Sequence, residues 1–105
     1  MKQYTTTEQT AKLIELGFEK PKGLAYARRV GVRVRPAYSI GELIEMLKPI
    51  KNLRISVDNS YNGFEGLIVK RLVGDKWEIL FGDVGKDLID LLFSAIVKLK
   101  TEGVI

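Results

Sequence analysis

The side chains that most often carry out chemistry are missing from this sequence. Its 105 residues include no cysteine and no histidine. Without cysteine there is no disulfide framework and no thiolate nucleophile. Without histidine the commonest general base and the commonest metal ligand are gone. Typical zinc sites, Ser-His-Asp triads and Cys-His dyads are excluded together. An oxygen-only site for Mg²⁺ or Ca²⁺ stays formally open. What remains are arginines, carboxylates and one loop rich in oxygen donors.

The arginines form the sharpest pattern. In Arg29-Val30-Gly31-Val32-Arg33-Val34-Arg35 the valines share one face of a strand and the arginines the other. Arg33 and Arg35 would leave the strand about 7 Å apart on one side, a spacing suited to neighbouring phosphates. Arg28, Lys20 and Lys22 extend the row, and no acid occurs between Lys20 and Glu42. The plainer reading is a solvated strand face whose charges deter edge-to-edge aggregation. The loop Asp58-Asn59-Ser60-Tyr61-Asn62-Gly63-Phe64-Glu65 lacks the spacing of an EF-hand, and Asn62-Gly63 is explained by a tight turn. Asp87 and Asp90 read as favourable charges near a helix start rather than an acid–base pair. Gly82 and Gly85 do not make a phosphate loop, because no G-x-G-x-x-G or G-K-[ST] follows and Asp83 repels an anion. No metal site, no cofactor, no small-molecule substrate and no catalytic activity are expected.

The elements that must position these residues follow from periodicity. Thr5-x-x-Glu8 reads as a capping box opening a helix over 6–16, with Leu13, Ile14 and Leu16 as its apolar stripe and Gly17 as its stop. Residues 29–35 read as a strand ended by Pro36, with Ala25 to Arg28 as its hairpin partner. Ser39-x-x-Glu42 caps a second helix over 40–48, stopped by Pro49. Leu53, Ile55 and Val57 alternate with Arg54, Ser56 and Asp58. Asn62-Gly63 and Gly74-Asp75 then mark two tight turns, giving a three-stranded meander with Trp77, Ile79 and Phe81 on one face. Asp83 or Gly85 opens a third helix running to about Lys100. Its apolar residues cover roughly two-thirds of the circumference, where packing on one sheet needs a stripe of only about 100°. The expected class is α+β: a single domain over residues 1–105, in the order α-ββ-α-βββ-α, with helices on one face of a small antiparallel sheet.

Net charge is +4 and uneven, with 11 basic and 5 acidic side chains in residues 1–55 against 6 and 8 in residues 56–105. The N-terminal Met1-Lys2-Gln3-Tyr4-Thr5-Thr6-Thr7 has no apolar core, so no signal peptide is expected. No run nears the roughly 18 apolar residues of a membrane span. The expected compartment is the cytoplasm.

Three stretches stand together: Thr7-Glu8-Gln9 with Leu13, Leu16, Gly17 and Phe18; Tyr38-Ser39-Ile40 through Leu43, Glu45 and Leu47; and Ala95-Ile96 with Leu99, Lys100, Glu102 and Gly103. In this order the chain resembles a group of small uncharacterised proteins encoded by bacteria and their prophages, from which it departs in its arginine-rich middle strand. The resemblance implies an accessory or mobile-element role and carries no functional residues. The expected function is a non-catalytic interaction module that binds a protein or its own second copy. Its expected interface is the surplus apolar surface of the last helix: Leu88, Ile89, Leu92, Phe93, Ile96 and Val97. The alternative is nucleic-acid binding by Lys20, Lys22, Arg28, Arg29, Arg33 and Arg35.

Overall fold

Residues 3–22, 24–26, 34–61 and 63–105 are described by a computed structural model. They form α1 (Thr7–Glu15), β1 (Leu24–Tyr26), β2 (Val34–Pro36), α2 (Ile40–Leu47), β3 (Leu53–Tyr61), β4 (Phe64–Val73), β5 (Lys76–Gly85) and α3 (Leu88–Thr101). The α+β class and the element order expected from the sequence are found. β1 and β2 make a small hairpin of their own, and β3-β4-β5 make an antiparallel meander.

Hydroxyl caps set the first two helices. Ser39 and Glu42 form the expected box on α2: Ser39 Oγ accepts from the Glu42 amide, and Glu42 Oε1 accepts from the Ser39 amide, each at 3.2 Å. On α1 the box lies one residue later than the sequence indicates. Thr6 Oγ1 accepts from the Gln9 amide at 3.1 Å, and Gln9 Oε1 accepts from the Thr6 amide at 2.9 Å. Thr5 has another task. It is fully buried, its Oγ1 accepts from the Tyr38 amide at 3.0 Å, and its amide donates to the Tyr38 carbonyl at 3.0 Å. Thr10 Oγ1 gives its proton to the Thr6 carbonyl at 2.8 Å, so the 2.7 Å contact between the two hydroxyls has Thr5 as donor. This chain ties the start of α1 to the segment that leads into α2.

The meander departs from simple alternation at one place. Val69 pairs with Phe81 and Lys70 with Ile79, leaving Leu80 as an extra residue in β5. A bulge of this kind lets two successive residues face the same way. Leu80 is buried and Phe81 packs beside it against the core, while Trp77 and Ile79 point to the opposite side. The expectation that Trp77, Ile79 and Phe81 share a face is thus corrected. The turn before β5 is as expected: Val73 pairs with Lys76 across Gly74-Asp75, and Gly74 takes φ +65°, a conformation glycine adopts without strain. The start of the last helix is also corrected. β5 continues through Asp83 to Gly85, and the N-cap is Asp87, whose Oδ1 accepts from the Ile89 amide at 3.4 Å.

α3 lies across β4 and β5, and α2 packs beside it. Leu13 of α1, Leu43 and Leu47 of α2, Leu67 and Val69 of β4 and Leu99 of α3 meet with no exposed surface. A fully buried side chain of this size contributes about 1.5–3 kcal/mol. Three of the six α3 residues expected at an interface are taken up inside the chain. Ile89, Leu92 and Ile96 are buried in the chain's own core, and Leu88, Phe93 and Val97 pack against that core with part of their surface covered. Part of the surplus apolar circumference is met from within, by α2 and the sheet. The thinnest dimension of the fold is 17 Å. That accommodates one sheet and one helical layer, since stacked layers lie about 10 Å apart.

Candidate interaction surface

All the described helices cover the same side of the meander, and its other side is open. Register and alternation place Arg54, Ser56 and Asp58 of β3, Gly66, Ile68, Lys70 and Leu72 of β4, and Trp77, Ile79, Gly82 and Val84 of β5 on that open face. Phe64, at the start of β4, is on the same side. The face is apolar where solvent meets it. Ile68 is 41% exposed, Phe64 43%, Trp77 46%, Val84 51% and Ile79 67%. Five such side chains present on the order of 500 Å² of apolar surface, near the upper end for the largest patch on an ordinary monomer.

The polar residues of this face are arranged by row. Arg54 stands directly opposite Lys70, an unfavourable like-charge pairing in a sheet. The Trp77 indole offsets it. Its centroid lies 5.3 Å from the Arg54 guanidinium carbon and 5.0 Å from Lys70 Nζ, close enough for both cations to be attracted by the ring's negative face. Arg54 is on β3 and Trp77 on β5, so the indole reaches across β4 to both cations. Among the described residues neither cation meets a carboxylate, whereas Arg71 on the covered side reaches Glu78 at 3.1 Å. At the other end the surface dips. A hollow of about 340 Å³ lies there, lined by Ser56, Asp58, Gly66, Leu67, Ile68, Gly82, Asp83 and Val84, two of which have no side chain.

The free edge of β5 is less available than its face. The Leu80 bulge interrupts it, and Lys98 Nζ of α3 donates to the Leu80 carbonyl at 2.8 Å. Bulges and edge lysines both work against addition of a further strand.

A second hollow, of about 520 Å³, lies between α2 and the segment that follows α1, and is lined by Phe18, Glu19, Lys20, Lys22, Tyr38, Glu42, Glu45 and Met46. Two of the proposed phosphate-binding cations are here, among three carboxylates. The Lys22 amide donates to Glu42 Oε2 at 3.0 Å. This balance of charge does not favour a polyanion. The Tyr38 ring is buried and its hydroxyl donates to the Glu19 carbonyl. Burial, reinforced by the Glu42 carboxylate, pushes the phenol pKa above its ordinary value. Arg28, Arg29 and Arg33, and Val30 and Val32 between them, lie outside the described residues. Of Arg35 only the backbone is described, paired with Ala25 in the β1-β2 hairpin.

The structure therefore does not bring the sequence-predicted cations together at one described site. It assembles Arg54, Lys70, Trp77, Ile68 and Ile79, which the sequence reading had not grouped. One signal was present: Leu67-Ile68-Val69 is a continuous apolar run, and a strand with only one apolar face alternates.

Among the described residues no group of three or more acidic side chains is placed to hold a metal ion, and no helix is long and apolar enough to cross a membrane. Among the described residues the fold is a two-layer α+β arrangement with one sheet face uncovered. No family model, no curated protein and no solved structure matches the chain.

Proposed function

We propose that this protein is a non-catalytic accessory module that works by covering a protein surface with the open face of its sheet. The observation that carries the reading is the exposed row of Ile68, Trp77, Ile79 and Val84 on a face that none of the described helices covers. A patch at the upper end of what a monomer exposes is often a contact site, and this supports a partner that covers it. The absence of histidine and cysteine supports a binding rather than a catalytic role. The likeness to small prophage-encoded proteins supports an accessory one. Because Ile89, Leu92 and Ile96 of α3 are buried, the exposed apolar surface of the sheet supports a contact there rather than on α3.

The test is a photoreactive amino acid placed at Ile79 in cells that make the protein. Irradiation is expected to give covalent protein adducts from position 79 and none from the exposed helix position Ser94. Equal yields at the two positions, or none at position 79, would reject the reading.

A second reading, nucleic-acid binding, is favoured by the same rows in a different way. Trp77 offers a ring for base stacking, and Arg54 and Lys70 beside it offer charges for phosphates. Against it stand the aliphatic majority of the face and the Asp58 carboxylate. A short single-stranded oligonucleotide that quenches Trp77 emission at low salt and releases it as salt rises would favour this reading over the first.

A further inference from the structure

We propose that the open face is closed by the same face of a second copy, the two sheets packing about a two-fold axis that runs along the row Ser56–Ile68–Gly82. The inference rests on the protein-binding reading above and names the partner.

The register supplies the axis. Ser56 pairs with Ile68 and Ile68 with Gly82, so these three residues cross the sheet in a line. The next open-face row on one side is Arg54–Lys70–Ile79, and on the other it is Asp58–Gly66–Val84. A two-fold along the middle row exchanges the two sides. Arg54 then lies over the second copy's Asp58, and Ile79 over its Val84. Lys70, with the indole above it, meets Gly66 and the hollow beside it. Cation meets carboxylate twice, Arg54 of each copy over Asp58 of the other. Asp58 already has an interaction within its own chain, and a carboxylate has about four lone-pair sites, so it can accept a further donor. An axis along β4 would instead set Lys70 against its own copy and leave Arg54 over Ile79 with no carboxylate, which like-charge repulsion and an unpaired cation disfavour. Sheets that pack face to face keep their strands within about 30° of one another, as this arrangement does.

Area sets the strength. Two such faces bury roughly 1,000–1,200 Å² once the stems of Arg54 and Lys70 are included, at the lower limit for a specific stable interface. Association in the micromolar range is expected, with a blue shift of Trp77 emission as the dimer forms.

A residue on the axis meets its own copy, and that gives the test. Ile68→Cys, the sole cysteine in the chain, is expected to form a disulfide-linked dimer under mild oxidation at low protein concentration, while a cysteine at exposed Ser94 does so far more slowly. Arg54→Glu and Asp58→Arg are each expected to weaken the dimer at least roughly tenfold in sedimentation equilibrium. Mixing these two variants restores it, because each now supplies the charge the other needs. Ile68→Glu, which sets two carboxylates against each other at the axis, keeps the test decisive if Asp58→Arg does not fold. A wild-type protein that stays monomeric at sub-millimolar concentration overturns the proposal, and so does a dimer that survives Ile68→Glu. If the protein is monomeric yet position 79 is crosslinked to a different protein, the protein-binding reading stands and the second copy is rejected. If it is monomeric and the oligonucleotide quenches Trp77, both fall to the nucleic-acid reading.

Discussion

The two faces of the β3-β4-β5 meander are built from the same strands and have opposite fates. Leu67 and Val69 face the helices with no exposed surface, while Ile68 between them is 41% exposed. Side-chain chemistry hardly differs across that one-residue step. What differs is whether a second layer exists to receive it. α3 is apolar enough to serve two neighbours, and it spends that surface on α2 and on one sheet face, leaving the other face uncovered. The polar groups sort in the same way. On the covered side Arg71 is paired with Glu78, and Lys98 with Glu102 at 3.6 Å. On the open side Arg54 and Lys70 share an indole and meet no carboxylate among the described residues. The open face carries most of the exposed apolar area of the meander, together with two cations that meet no carboxylate among the described residues.

The largest expected effect tests that contrast at adjacent residues. Leu67→Ala should lower stability by about 2–5 kcal/mol, because it leaves a cavity beneath α3. Ile68→Ala, measured by denaturant titration at low protein concentration, should cost less than about 1 kcal/mol, since water already reaches that side chain. Similar losses at the two positions would mean that the open face is not open in solution, and the contrast would collapse.

A smaller effect probes an exception on the covered side. Glu65 is 8% exposed, and its Oε2 is buried without a hydrogen-bond partner. A buried oxygen without a partner costs about 1–3 kcal/mol, so replacing the carboxyl by an apolar group of similar length should recover part of that cost. Glu65→Met is expected to raise stability by roughly 1 kcal/mol. A loss instead of a gain, read from the same denaturant titration, would show that the carboxyl contributes something its contacts do not reveal.

Much of this architecture is legible in the chain, and the parts that are not share a cause. Ser39-x-x-Glu42 sets α2 because a capping box is a local bargain between residues three apart. The box on α1 is misplaced by one residue because Thr5 and Thr6 are equivalent to a local rule. Only the distant Tyr38 amide, which takes up Thr5, decides between them. Asp83 resembles a cap until the pairing of Leu67 with Asp83 and Gly66 with Val84 carries β5 past it. The bulge at Leu80 depends on a cross-strand register that no spacing announces, and it moves Trp77 and Ile79 to the open face. The row Arg54–Lys70–Ile79 draws one residue from each of three strands and exists only once they are aligned. The exchange symmetry about Ser56–Ile68–Gly82 is in the same position. The interface was sought on α3 because apolar excess is visible in a helix, whereas its coverage by α2 and the sheet is not.

The smallest expected effect is a pH dependence on the covered side, where exclusion of water acts on a titratable group. Tyr38 is 2% exposed, and burial, followed by the Glu42 carboxylate, raises its phenol above the ordinary value of 10.0. The raised value means that the folded state holds the proton more tightly than the unfolded chain does. The stability associated with Tyr38 is therefore fully present below about pH 10 and declines as pH rises from there through the raised folded value. Tyr38→Phe removes the titration together with the hydrogen bond to the Glu19 carbonyl. It should lower stability near neutral pH by about 1 kcal/mol, the usual worth of such a bond. Above pH 10 the variant should lose stability less steeply than the parent, so that the gap between them narrows. The substitution changes no other titratable side chain, so the difference between the two curves isolates the phenol. Curves that stay parallel from neutral to alkaline pH would show that solvent reaches Tyr38 as freely as it reaches the open face, and the contrast between the two sides would lose its chemical half.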